Sequence, residues 1–167
     1  VIKNFSVSAT FKYLFSDMGR IGNSRGASSV AFDLGVLYKC EINDWEGAGW
    51  SVGLHVSNLG PKINYLTSKD ALPATVKVGG AADLPFLQMH KLTLTADLGY
   101  RLSPADVQAL SVSAGAEYAW RELVMLRGGY HCGDKKKGDA SYATAGAGVE
   151  YAGVRLDFAW LFAGHEY

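Results

Sequence analysis

Apolar and polar side chains alternate along most of this chain. The clearest run is Val154-Arg155-Leu156-Asp157-Phe158-Ala159-Trp160-Leu161-Phe162. Val154, Leu156, Phe158, Trp160 and Phe162 fall on one face, and Arg155, Asp157, Ala159 and Leu161 fall on the other. A period of two is the side-chain period of a β-strand, so this run is a strand and not a helix. The pattern recurs at residues 5–13, 30–39, 50–57, 74–82, 92–100, 110–120, 124–131 and 142–151. The alternation predicts an all-β chain of about nine strands.

The content of the two faces carries more than the count. The first face is apolar, and its strands tend to end in aromatics: Tyr13, Tyr38, Trp50, Tyr100, Trp120, Tyr130 and Tyr151. The second face holds Lys12, Asp33, Lys39, His55, Lys77, Asp97, Glu117, Arg127, Glu150, Arg155 and Asp157, spaced mostly by Ser, Thr, Gly and Ala. Both signs of charge are interspersed on it. A soluble barrel built for a greasy ligand has an apolar interior, the reverse of this face. A membrane barrel turns the apolar face to lipid, pairs its charges in the lumen and carries aromatic girdles at both interfaces. Backbone groups in lipid must all be paired, which a closed sheet achieves. The pattern predicts a transmembrane antiparallel up-and-down β-barrel, one domain spanning residues 1–167.

Composition agrees. The 167 residues carry no formal net charge, and 49% are hydrophobic, so a basic nucleic-acid footprint is absent. The 20 glycines against 4 prolines suit strands with close backbone approach. No apolar run is long enough for a transmembrane helix, which leaves strands as the means of crossing. The sequence opens at Val1 without a leader pattern, so processing or missing upstream sequence is expected.

Connections sort into two sets. Residues 120–123 and 151–154 read as tight turns, while 17–28, 60–73, 101–107 and 132–140 are longer and polar. Bacterial barrels place short turns in the periplasm and long loops outside. By parity, the links 40–49 and 83–91 fall on the periplasmic side, though both are long for it. Cys40 then lies at the periplasmic end and Cys132 at the extracellular end, too far apart for a disulfide. An odd strand count implies a partial barrel: a C-terminal portion lacking its last descending strand.

Candidate chemistry is sparse. Asp97, Glu117, Arg127, Glu150, Arg155 and Asp157 offer acid–base groups, but charges gathered in a lumen ordinarily pair with one another. No Gly-x-Ser-x-Gly elbow or phosphate-cradling loop occurs, so no enzyme activity is predicted. His131 and Cys132 lack further ligands at metal spacing, and no metal or cofactor is predicted. Asn58-Leu59-Gly60-Pro61 reads as a turn with a permissive Gly60 and a restrictive Pro61, or as a rigid partner-facing loop. Lys135, Lys136 and Lys137 read as a solvated loop tip, or as a contact for lipopolysaccharide phosphates or an acidic partner.

Several stretches resemble one family. Gly49-Trp50-Ser51-Val52-Gly53-Leu54-His55-Val56-Ser57-Asn58-Leu59-Gly60-Pro61-Lys62-Ile63-Asn64-Tyr65 and Leu72-Pro73-Ala74-Thr75-Val76-Lys77-Val78-Gly79-Gly80 look like the PorV/PorQ family. Phe5-Ser6-Val7-Ser8-Ala9-Thr10-Phe11-Lys12-Tyr13, Ala114-Gly115-Ala116-Glu117-Tyr118, Arg127-Gly128-Gly129-Tyr130 and Leu156-Asp157-Phe158-Ala159-Trp160 add to the likeness. The most specific piece is Ser57-Asn58-Leu59-Gly60-Pro61. These are Bacteroidetes outer-membrane proteins of the type IX secretion system, related to the FadL fatty-acid transporter fold. The resemblance implies a barrel of roughly 14 strands, of which this chain would supply the fifth to the thirteenth. It implies a place beside a SprA-like translocon barrel. It also implies capture of cargo bearing a C-terminal signal domain and delivery to a PorU-like attachment complex. Asn58, Leu59, Gly60, Pro61 and Lys62, with Lys135, Lys136 and Lys137, would then be the partner-facing loop residues. Two rivals stand beside this reading: a FadL-like channel for hydrophobic molecules, and a lone structural barrel.

Overall fold

The structure is a computed structural model describing residues 4–16, 27–64 and 69–163. Its strands are β1 (Phe5–Ser16), β2 (Ala27–Glu41), β3 (Gly49–Leu59), β4 (Ile63–Asn64), β5 (Lys69–Asp70), β6 (Thr75–Phe86), β7 (His90–Arg101), β8 (Leu110–Trp120), β9 (Val124–Cys132), β10 (Tyr142–Tyr151) and β11 (Val154–Ala163). Nine of them form one sheet in the order β1-β2-β3-β6-β7-β8-β9-β10-β11. Every neighbouring pair is antiparallel, so the sheet is an up-and-down meander. The order runs from β1 to β11 without β11 meeting β1. The pair β4–β5 is a small separate ribbon inside the connection from β3 to β6.

These nine strands are the nine expected from alternation, with longer ends. β6 and β7 stay in register through Pro85↔Lys91 and Phe86↔His90. The link expected over 83–91 therefore shrinks to Leu87, Gln88 and Met89, and its excess length disappears. The other long link, Ile42 to Ala48, does hold that length. Hydrogen bonds fold it on itself, from Ile42 N–H to the Ala48 carbonyl (2.9 Å) and from Ala48 N–H to the Trp45 carbonyl (2.9 Å). One edge of the sheet thus gathers the tight turns, and the opposite edge gathers the connections 60–74, 102–109 and 133–141. The expected link at 17–28 falls largely outside the described residues. Cys40 lies near the tight-turn edge and Cys132 at the long-connection edge, and both are free thiols.

Exposure separates the faces in the unusual direction. Phe11 (62%), Leu126 (54%) and Phe158 (61%) on the apolar face are open, whereas Ala31 (0%), Asp33 (8%) and Met125 (6%) on the polar face are covered. Along β8, Leu110, Val112, Ala114, Ala116 and Trp120 are exposed, while Ser111, Ser113, Gly115, Glu117 and Ala119 are not. With no second layer packed on this sheet, coverage of one face means that the sheet curls toward it. None of the large side chains is fully buried among the described residues. The described residues form no oily core. Their apolar surface is continuous and outward, far beyond the patch that a soluble monomer normally exposes.

The tight turns hold the register. Ala152 (φ 51°) and Gly153 (φ 78°) both take left-handed conformations, as the twist-matched two-residue hairpin turn requires. Arg121, Glu122, Leu87 and Gln88 are likewise at positive φ. A non-glycine residue there is strained, so Ala152→Gly is expected to raise stability by about 0.5–1 kcal/mol. A higher urea midpoint for the detergent-refolded variant checks this, and an unchanged or lower midpoint contradicts it.

Candidate functional site

Alternation breaks once inside the described sheet, at Ser57-Asn58-Leu59. Continued alternation would turn Asn58 outward and Leu59 inward. The register instead jumps between Phe32↔Leu59 and Leu34↔Val56, so one extra residue of β3 opposes Asp33. This is a β-bulge, with Asn58 in the left-handed region at φ 56°. Leu59 is thereby returned to the outward face opposite Phe32. Asn58 faces in, and its backbone N–H donates to Asp33 Oδ1 (2.8 Å). Lys12 Nζ meets Asp33 Oδ2 at 2.5 Å and donates to Asn58 Oδ1 at 3.1 Å. The Asn58 amide nitrogen donates to the Pro73 carbonyl (3.1 Å), and the Ser57 and Thr75 hydroxyls are 2.6 Å apart. Four strands are knotted here, and the start of the 60–74 connection is fixed by the knot.

Asn58 and Leu59 therefore belong to β3, not to a loop as the sequence suggested. Gly60 is required for close approach and not for a permissive φ. A Cβ there would strike the Val30 carbonyl oxygen and sit 2.9 Å from Leu72 Cδ1. The Pro61 carbonyl accepts from the Ser29 hydroxyl (3.1 Å), and Pro61 and Lys62 are exposed. Of the five residues expected to face a partner, Asn58, Leu59 and Gly60 hold the platform, while Pro61 and Lys62 remain open on it.

A second constellation occupies the tight-turn half of the polar face. Arg127 on β9 pairs directly across from Glu117 on β8, and its Nε donates to the Glu117 carboxylate. Its Nη1 reaches over β10 to Asp157 on β11 at 2.5 Å. Arg155 Nε donates to Asp157 Oδ2 (2.8 Å), and Arg155 also lies 3.7 Å from Glu150. The reach over β10 depends on its glycines. A Cβ at Gly148 would lie 2.5 Å from Asp157 Oδ1 and 3.4 Å from Arg127 Nη1. Five of the six charges expected in a lumen network are joined. Asp97 is not: it sits on β7 opposite Ser113 and Gly79, away from the Arg127 cluster. The pairs are partly exposed, so each contributes modestly to stability. Their chief effect is mutual pairing, with three carboxylates sharing two guanidinium groups.

The long-connection edge carries a third group. Lys135–Lys137 form a single 3-10 turn, with Asp134 accepting from Lys136 N–H (3.0 Å) and Gly138 closing the turn at φ 75°. The turn is not a loose tip. Arg101 Nη1 donates to the Lys137 carbonyl (2.9 Å), and Asp139 Oδ1 accepts from His131 Nε2 (2.9 Å). The His131 ring stacks on Tyr142 (4.8 Å between centroids), and its Nδ1 is 3.0 Å from the Ser113 hydroxyl. Ser113, His131 and Asp139 thus stand in nucleophile–base–orienter order, which no spacing in the sequence announced. Acyl transfer also needs N–H donors aimed at a developing oxyanion. Ser113 is mid-strand between β7 and β9, so its backbone is committed to the ladder. The trio works as a latch that ties the 133–141 connection to the sheet. Among the described residues, no group of three His, Cys, Asp or Glu side chains has metal-binding geometry.

Two cations that sequence reasoning did not single out complete this edge. Lys77 and Arg101 line a cavity of about 390 Å³ on the polar face with Thr75, Ser111, Tyr142 and Asp139. Lys77 was visible as one more polar-face charge, and Arg101 was assigned to a connection. Nothing in the sequence showed that they meet.

Fold and site together define an inside-out antiparallel sheet: one face apolar and exposed, the other polar and largely ion-paired, with its ordered polar connections at one edge. The chain belongs to the PorV family of type IX secretion system proteins, whose family model matches residues 1–108. That span covers β1 to β7 and includes the Lys12–Asp33–Asn58 knot, while the Arg127 network lies beyond it. No curated protein gives a match.

The glycine argument gives a paired test. Gly148→Ala is expected to lower the urea midpoint by displacing the Asp157 carboxylate. Gly128→Ala, with nothing within 4 Å of the added carbon, is expected to leave it unchanged. In an Asp157→Ala background the Gly148 penalty should vanish; its persistence would show that the carboxylate is not what the glycine accommodates.

Proposed function

We propose that this chain forms part of a closed, FadL-like transmembrane β-barrel of the bacterial outer membrane. In this reading it serves type IX secretion as a PorV-like shuttle and not as an enzyme. The single observation that carries the membrane assignment is the inverted exposure: Phe11, Leu126 and Phe158 outward, Asp33 and Met125 inward. Water would drive these faces the other way, and hydrocarbon favours them as found. Family membership supports the secretion role. The described sheet is most of a barrel wall; the family's further strands would close it, one of them descending after β11.

The tight turns then face the periplasm and the 60–74, 102–109 and 133–141 connections face outside. Pro61, Lys62 and the Lys135–Lys137 turn stand on that outer rim. A rim fixed by the Asn58 bulge and the His131 latch is a preorganised surface, which favours capture of a folded cargo signal domain over nonspecific adhesion. The proposed partners are a SprA-like translocon barrel, cargo with a C-terminal signal domain and a PorU-like attachment complex. Gentle solubilisation of outer membranes and pull-down of the tagged protein should recover the translocon barrel or cargo. Recovery of neither, in cells actively secreting, would sink the shuttle role.

One observation favours a second reading, a channel for hydrophobic molecules. A trough of about 500 Å³ runs along the inner face past Ser6, Ser8, Leu37, Gly53, His55 and Gly79. An acyl chain found there by native mass spectrometry would support that rival.

The membrane assignment has its own check. Leu126→Arg, on the outward face, is expected to cost about 2–4 kcal/mol of folding into lipid vesicles. Thr95→Arg, on the polar face, is expected to cost far less. Equal tolerance of both in a heat-shift gel assay would contradict the orientation.

A further inference from the structure

The polar face is neutralised almost everywhere. Lys12 has Asp33 at 2.5 Å, Lys91 has Asp83 at 3.2 Å, and Arg155 has Asp157 at 2.8 Å. Arg127 bridges Glu117 and Asp157. Among the described residues Lys39 has no carboxylate within ion-pair distance, though it shares a cavity with Glu41, Glu46 and Asp83. Lys77 and Arg101 also stand without one. Both line the 390 Å³ cavity at the long-connection edge. Arg101 spends one donor on the Lys137 carbonyl, at 2.9 Å, and keeps the rest of its fork. The one carboxylate in the lining, Asp139, is already bonded to His131 at 2.9 Å. The same wall carries the Tyr142 hydroxyl, and those of Ser111 and Thr75, which are bonded to the Gly99 carbonyl and to Ser57. The Lys135–Lys137 turn, held by Arg101, adds positive charge at the rim.

We propose that this cavity is an anion-binding pocket that takes a carboxylate side chain from an acidic peptide segment. Two cations without ion-pair partners, in a cavity whose one carboxylate is already bonded to His131, are complementary to an incoming carboxylate. The planar guanidinium of Arg101 suits two-point recognition of it. The occupant is peptide and not lipopolysaccharide because of where the pocket opens. Thr75, Lys77, Arg101 and Ser111 project on the polar face, opposite the apolar face that would meet lipid. A headgroup in the surrounding leaflet stands on the wrong side of the wall. This deepens the proposed shuttle role, on which it rests for the identity of the peptide as part of a cargo domain.

The test uses the purified full chain in detergent and two fluorescein-labelled peptides, Gly-Glu-Glu-Glu-Gly and Gly-Gln-Gln-Gln-Gly, read by anisotropy. The Glu peptide is expected to bind about tenfold or more tightly than the Gln peptide, and to weaken as salt rises. Lys77→Met with Arg101→Gln should abolish that preference, with the heat-shift gel reporting that the variant is folded. The wild-type comparison stands even if the double variant does not fold. Equal binding of the two peptides, or a preference that survives the double variant, overturns the pocket. Displacement of the Glu peptide by inorganic phosphate at far lower concentration than by acetate overturns the carboxylate assignment in favour of a phosphate ligand. If the Glu peptide binds as expected while pull-downs recover no cargo, the pocket stands and the shuttle role falls.

Discussion

Everything in this sheet follows from one constraint: the charged groups have only each other. On the outside of an ordinary domain, Arg127 and Asp157 would be solvated separately and could sit anywhere. Here they share the polar face of one sheet, and most of that face's charges lie within reach of an opposite one. That pairing fixes details that otherwise look arbitrary. Glycine stands at Gly146 and Gly148 because Arg127 must cross β10. Glu117 stands opposite Arg127 because a directly facing pair is the shortest bridge a strand ladder offers. The polar face is small between charges because long neutral side chains would block such crossings.

The Asn58 bulge is the same constraint acting on the backbone. Strict alternation forces a choice between Asn58 on the apolar face and a break in the strand. One inserted residue avoids both. It turns Asn58 in, restores Leu59 to the apolar face, and places a backbone N–H where Asp33 can accept from it. Because Lys12, Asp33, Asn58, Pro73 and Thr75 come from separate elements, the bulge also fixes how the 60–74 connection leaves the sheet. A local solution to a burial problem becomes a positioning device for the long-connection edge.

This also explains what was legible in the sequence. Strand identity, strand number and facing all follow from a period-two pattern that covers nearly every residue, so nine strands and their orientation could be read directly. Turn length could not. Pro85 and a run of mixed polarity made 83–91 look like a loop, whereas pairing through Phe86↔His90 leaves only Leu87, Gln88 and Met89 unpaired. The lumen charges were legible as a set, but the pairing depends on which side chains face across one or two strands, and that left Asp97 out. The Asn58 stretch drew attention as a motif. Its place in β3 was missed because a bulge reverses parity for a single residue, and a pattern-based reading takes the first break in alternation as the end of a strand.

The two halves of the polar face then differ in kind. Toward the tight turns, Glu117, Arg127, Glu150, Arg155 and Asp157 close on one another, and the wall there is chemically finished. Toward the long connections, the ionic groups are spent on holding architecture: Lys12 and Asp33 on the bulge, His131 and Asp139 on the latch. Lys77 and Arg101 are what remains. Desolvating an uncompensated cation is unfavourable, so a sheet that neutralises its charges elsewhere would gain stability by neutralising these two as well. Their place at the open edge, where water reaches them, is what the proposed anion pocket rests on. The same logic orients the protein: the finished half belongs toward the closed turns, and the unfinished half belongs toward whatever the rim receives.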